Sequence, residues 1–223
     1  MGLKDKVKSH PEKYKGLFTV YNHICGRNKI VVKGASKVTI GTALLKHVHI
    51  YVEGEGNLVE IGDLTRMNHT RIFVKGNHNV IRIGKNNGFE ESSLWLEDDN
   101  NLVQIGEHNR FFKNSHLAAL EGTAIRIGSD SLFAPGVEMR TSDSHSIFDM
   151  EGTRLNKAKD ISVGNHVWIA VGSVLLKGAS LPDDSIVGMH SMVNKPLEEK
   201  NCLYVGNPVR KAKSGVTWDS KRV

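Results

Sequence analysis

The sequence predicts an all-β chain wound into a triangular parallel β-helix, and three counts along it carry that prediction. Ile-Gly pairs recur at Ile40-Gly41, Ile61-Gly62, Ile83-Gly84, Ile105-Gly106 and Ile127-Gly128, in steps of 21, 22, 22 and 22. Six residues past the later pairs stand Met67, Phe89, Phe111 and Phe133, and six further stand Phe73, Trp95, Leu117 and Met139. Downstream, Val163, Ile169, Leu175, Leu181, Val187 and Val193 follow at strict steps of six. One inward side chain per hexad and three hexads per turn make an 18-residue coil that stacks on its neighbours. Each inward side chain contributes about 1.5–3 kcal/mol of burial, so no single coil stands alone. The apolar i, i+3, i+4, i+7 pattern of a helix is absent between residues 30 and 195.

The elements follow in order. Residues 1–28 form a basic N-terminal segment in which Ser9-His10-Pro11-Glu12 offers a helix start, and Phe18 to Ile24 reads as a strand entering the first coil. Residues 29–195 are the β-helix. Its early coils carry a four-residue corner insertion (GEGN, KGNH, EDDN) rich in residues that tolerate positive φ. The repeat from Ile40 puts Lys46 where an apolar residue belongs, which predicts an irregularity there. At that same corner the step from Met139 to Val163 is 24 rather than ten, so residues 140–160 leave the helix as a long loop. Long loops on a rigid scaffold are where function concentrates. Two regular coils occupy 161–195. The tail, 196–223, holds Gly206-Asn207-Pro208 and then Arg210, Lys211 and Lys213.

The net charge of +6 and pI near 9.3 favour anionic partners. Nucleic acid is disfavoured, because only 6% of residues are aromatic and no recognition helix or zinc-finger spacing occurs. No run is long enough to span a membrane, and Met1 to Lys15 is too polar for a signal peptide. Cys25 and Cys202 have no metal spacing and read as free thiols of a cytoplasmic protein. The sequence predicts no metal centre.

The run from Arg140 to Asp149, RTSDSHSIFD, resembles the active-site loop of bacterial polysaccharide O-acetyltransferases. More distantly it resembles the galactoside and maltose acetyltransferases of the same hexapeptide-repeat family. In that family a loop histidine precedes a VWIG-type strand by about two dozen residues; here His145 and Trp168 are 23 apart. With GNHVWIAVGSVLLKG and VGNPVRKAK, the resemblance covers residues 127–213. Ala170 replaces the usual Gly after Trp-Ile, Met189-His190 replaces a small-residue pair, and Asn194 replaces the usual Thr. The resemblance, not the period, implies a left-handed helix. It also implies acetyl-CoA as co-substrate and a homotrimer whose active site lies between the loop of one helix and the face of the next.

The residues suit acyl transfer. A sugar hydroxyl needs a base as it attacks a thioester, and a histidine with an ordinary pKa near 6.5 can take that proton and release it. His145 is assigned that role, with Asp143 or Asp149 to orient the ring. Backbone amides along the coil edge would stabilise the thioester oxygen. Adjacent Ser142, Ser144 and His145 point apart in an extended loop and make a poor nucleophilic triad. Alternation turns Trp168 outward beside inward Ile169, and the resemblance places it near the acceptor and the pantetheine arm. It also implies an acceptor contact at Asn114; Arg140, Ser142 and Asp149 of the loop are further candidates for reading the acceptor. Ala170, Val171, Gly188 and Met189 would line the pantetheine arm, with Asn194, Lys195 and Arg210 toward the phosphates. The γ-class carbonic anhydrases share the helix but need two zinc histidines five residues apart. His116, His145, His166 and His190 have no such partner. The expected reaction is O-acetylation of a bacterial surface polysaccharide or its sugar precursor. A small-acceptor acetyltransferase and a non-enzymatic glycan-binding solenoid are the alternatives.

Overall fold

The computed structural model describes residues 9–221; Lys4, Lys6 and Lys8 of the basic N-terminal segment lie outside the described residues. Three parallel sheets form the sides of a prism. The first has eight strands, from Lys29–Lys33 to Met192–Val193; the second has seven, from Lys37–Ile40 to Ser180–Leu181. The third has nine, from Leu44–Lys46 up to the closing strands Cys202–Val205 and Arg210–Ser214. Within each sheet a strand pairs with its equivalent one coil away, so like residues stack. Phe89, Phe111 and Phe133 form an inner column with ring centroids 4.6 and 4.3 Å apart. Gly76, at φ +129°, turns one corner where an added Cβ would sit 2.0 Å from the Asp98 carbonyl.

Some sequence expectations need correcting. Phe73 and Trp95 do not point inward: Ile72 and Leu94 fill the core, Ile72 pairing with Leu94 and Leu94 with Leu117, while the two aromatics face out. The corner from the third sheet to the first takes five steps in these coils (Met67 to Ile72, Phe89 to Leu94) and six from Phe111 onward, so a constant count of six overshoots by one. Around Ile40 the predicted irregularity is present. Leu45 takes the inward place one residue early and Lys46 is exposed.

The segment read as a strand is instead a helix, Lys15–Ile24. Its β-branched and aromatic content suggested a strand, yet Tyr14, Phe18 and Tyr21 recur at helical spacing and face Leu44. Asn22 ties the helix to the solenoid, donating to the Ala43 carbonyl (2.9 Å) and accepting from the Leu45 amide (2.9 Å). Among the described residues no helix is long and apolar enough to cross a membrane. In the tail, Cys202–Val205 adds in parallel to Ile186–Val187 before the chain reverses.

Candidate active site

The arm leaves the edge between the first and second sheets just after Arg140, and its base is pinned at two points. Asn156 is the hub of the first. Its side chain donates to Asp143 Oδ2 and to the His145 carbonyl, both at 2.7 Å, and accepts from the Ile147 amide at 2.7 Å. Lys177, from the next coil, bonds Asp143 and the Asn156 carbonyl. At the second point Glu121, one coil below, receives Arg154 (2.9 Å) and the Ser142 hydroxyl. Lys177 and then Asn156 hold the Asp143 carboxyl below its ordinary range. Arg154 and then Ser142 do the same for Glu121. Beyond the clamp, a short pairing of Phe148 with Arg154 and the Leu155 amide on the Ile147 carbonyl (2.8 Å) carry the arm outward. His145 stands exposed at the turn between clamp and tip.

The structure therefore gives the predicted loop residues different tasks. Asp143 engages Lys177 and Asn156, not the His145 ring. Asp149 folds the tip, accepting from the amides of Glu151 (3.1 Å) and Thr153 (2.7 Å). Ser142 is buried and holds the arm down. Arg140 bonds Glu138 on the outer face of the first sheet.

Trp168 lies on a different side of the prism, outward on the third sheet and 37% exposed. Asn114, Val171 and Met189 follow the edge between the third and first sheets. Asn114 is exposed there at φ +60°. Ala170 is buried and its amide bonds the Val187 carbonyl, and the Gly188 amide is taken by Tyr204, so neither is a free donor. The amides of Val171 and Met189 meet no protein acceptor among the described residues. Asn194 and Lys195 are exposed past the last strand of the first sheet. Arg210, also exposed, begins the return strand next to Val209, whose amide bonds the Met192 carbonyl (3.0 Å). No hydrogen bond or ring contact joins His145 to Trp168 within one chain.

No family model matches the chain. A stretch of 52 residues is 44% identical to a polysialic acid O-acetyltransferase of Neisseria meningitidis, and 92 residues are 32% identical to one of Escherichia coli O1:K1. Those stretches span 23% and 41% of this chain but only 24% and 30% of the relatives' lengths. The solved structure of the polysialic acid O-acetyltransferase OatWY is similar over much more. It is 29% identical, with 88% of this chain and 89% of that one covered at a TM-score of 0.76. In sequence and fold the chain is similar to hexapeptide-repeat acetyltransferases.

The helix is left-handed. Several residues of the candidate site escaped sequence reasoning. Asn156, Lys177, Glu121 and Arg154 are isolated polar residues whose convergence depends on which coils stack. Trp218 is another. It reaches back from the tail to stack on His166 (centroids 4.6 Å) and donates to the His166 carbonyl (2.9 Å), lying 6.2 Å from the Trp168 ring. A Trp in a polar C-terminal run was the one available signal.

Proposed function

We propose that this protein is an acetyl-CoA-dependent O-acetyltransferase that modifies a hydroxyl of a bacterial surface polysaccharide or its sugar precursor. His145 is the general base, and the protein works as a cytoplasmic homotrimer. The observation that carries the reading is the clamped arm: a histidine held clear of the solenoid by bonds to its own backbone carbonyl, with its ring uncommitted. The similarity to polysialic acid O-acetyltransferases supports a polymeric acceptor over a small one.

His145 accepts the proton of the attacking hydroxyl as the new C–O bond forms. It returns that proton to the departing thiolate as the C–S bond breaks, so no covalent enzyme intermediate is needed. Bound acetyl-CoA supplies the activated acyl group. The free amides at Val171 and Met189 suit a carbonyl that becomes negative in the transition state. Exposed Trp168 offers an apolar wall for the arm of the donor. Lys195 and Arg210, in no ion pair among the described residues, are available to its phosphates.

Base and donor groups sit on different sides of one prism, which is what a site completed by a second copy requires. The arm also exposes Ile147, Phe148, Met150 and Leu155, Met150 at 98%. Exposed apolar clusters of this kind mark interaction surfaces, and closed rings are the usual way for identical chains to satisfy them. Thiol release from acetyl-CoA with polysialic acid as acceptor tests the reading. His145→Ala should lower turnover by about 10²-fold or more while leaving acetyl-CoA binding intact. Failure of the wild type to bind acetyl-CoA would sink it.

A further inference from the structure

The outer face of the first sheet carries a feature that neither the arm nor the donor edge uses. Tyr51, Phe73 and Trp95 stack outward in a column, with centroids 5.5 and 4.0 Å apart. Stacking one on the next accounts for the rings as sheet stabilisers. It does not account for what flanks them. A groove of about 340 Å³ runs beside Tyr51 and Phe73, bordered by Lys29, Arg71 and Lys75. None of these three cations makes an ion pair or hydrogen bond with a protein group among the described residues. Glu53, the carboxylate in the groove, is already engaged by Lys33 and the Tyr51 hydroxyl. The cations therefore face solvent on both sides of an apolar floor.

The column also has a direction. Strand register carries it from Phe73 through Trp95 and Ala118 to Arg140, where the arm departs. Three strand spacings make that distance about 14 Å.

We propose that this face is an acceptor track: it binds a linear glycan carrying carboxylates on successive sugars and leads it along the first sheet to the base of the arm. The aromatic column supports the apolar faces of the sugars, and Lys29, Arg71 and Lys75 pair with the carboxylates. The proposal rests on the polysaccharide reading above and adds where the polymer lies.

Binding of fluorescently labelled polysialic acid, measured without acetyl-CoA and with dextran as neutral control, tests it. The wild type should bind polysialic acid and not dextran, and the complex should weaken as salt rises. The double variant Arg71→Glu, Lys75→Glu should bind about tenfold or more weakly, since it sets like charges against the carboxylates. Its melting curve should be unchanged, because neither side chain touches the core. Three results would overturn the track: no binding by the wild type, equal binding by the variant, or a variant whose oligomeric state changes. The last would make this face a contact between copies. Because binding is read apart from transfer, a polymer that binds but is never acetylated would count against the enzyme reading and leave the track standing.

Discussion

The edge between the first and second sheets is built twice in this molecule, by opposite means. In the early coils each turn spends four extra residues there, and a buried asparagine column sews the insertions together. Asn57 accepts from the Asn79 amide (2.9 Å), and Asn79 accepts from the Asn101 amide (2.9 Å). The side chains of Asn57 and Asn79 cap the carbonyls of Gly76 and Asp98 in the coil above. In the last coils the same edge is a bare hexad corner, and past it Ser162 and Ser180 bond (2.7 Å) on the outer face of the second sheet. Between the two regimes the column ends on Thr123 and Thr141, joined at 2.6 Å, and the arm emerges. A solenoid coil touches only its neighbours, so insertion length at a corner is nearly free. Here that freedom was used twice, for closed corners and for an extruded arm.

The sharpest way to break this contrast is to remove one rung from each regime. Asn79→Ala takes away three side-chain hydrogen bonds at a buried site, leaving the Asp98 carbonyl and the Asn101 amide unpaired. A loss of about 3 kcal/mol is expected, at about 1–3 kcal/mol for each orphaned buried group. Ser180→Ala removes one bond at a half-buried site, and about 1 kcal/mol or less should follow. Denaturant titration of both variants decides the matter, and equal losses would show that the asparagine column holds the early coils no better than a lone serine pair holds the late ones.

How much of this was legible follows from what repeats. The hexad count and the address of the arm come from periodic residues, Ile61 through Val193, and the structure places them as the count requires. The count fails where the period changes by one: a constant corner of six puts Phe73 and Trp95 inward, whereas the five-step corner puts Ile72 and Leu94 there. The β-branched and aromatic residues of Lys15–Ile24 suit a strand equally well, and only the spacing of Tyr14, Phe18 and Tyr21 points to the helix. In the site, His145 and Trp168 stood out from local sequence. Their supports did not, since Asn156, Lys177 and Glu121 meet only after three different coils stack, and stacking brings together residues more than 20 positions apart. The sequence also gave no sign that Ser142 would be buried or that Asp143 would belong to Lys177.

The clamp offers the next test. Asn156→Ala removes bonds to Asp143, the His145 carbonyl and the Ile147 amide together, while the Glu121–Arg154 anchor persists. Turnover should fall by about 10- to 100-fold, because a displaced base loses most of its advantage. Because the bonds lost lie within the arm and not between coils, the melting temperature of the solenoid should move little. A variant with full activity would show that the arm is ordered by something else. At the third sheet, Trp218→Ala should cost about 0.5–1.5 kcal/mol of local stability from the lost stack on His166. The Trp168 fluorescence should shift as its neighbour leaves, and an unchanged spectrum would place the tail elsewhere in solution.

The smallest effect expected is also the one with a definite sign. Asp143 has its carboxyl held below the ordinary value of about 3.9 by Lys177 and Asn156. A carboxyl depressed in the folded state contributes fully above its unfolded pKa, and the contribution is lost as pH falls through the lower, folded value. The arm should therefore be equally protected at pH 7 and pH 5 and become easier to cleave as acid protonates Asp143. Lys177→Met removes the larger cause of the depression, so its arm should be more easily cleaved already at neutral pH and change less with acid. Both side chains are partly exposed, and such pairs are weak, so the difference in cleavage rate should be at most about fivefold. Limited proteolysis within the exposed tip, followed by mass spectrometry across the acid range, reads this directly. A Lys177→Met arm that matches the wild type at every pH would leave Asn156 alone as the support of His145.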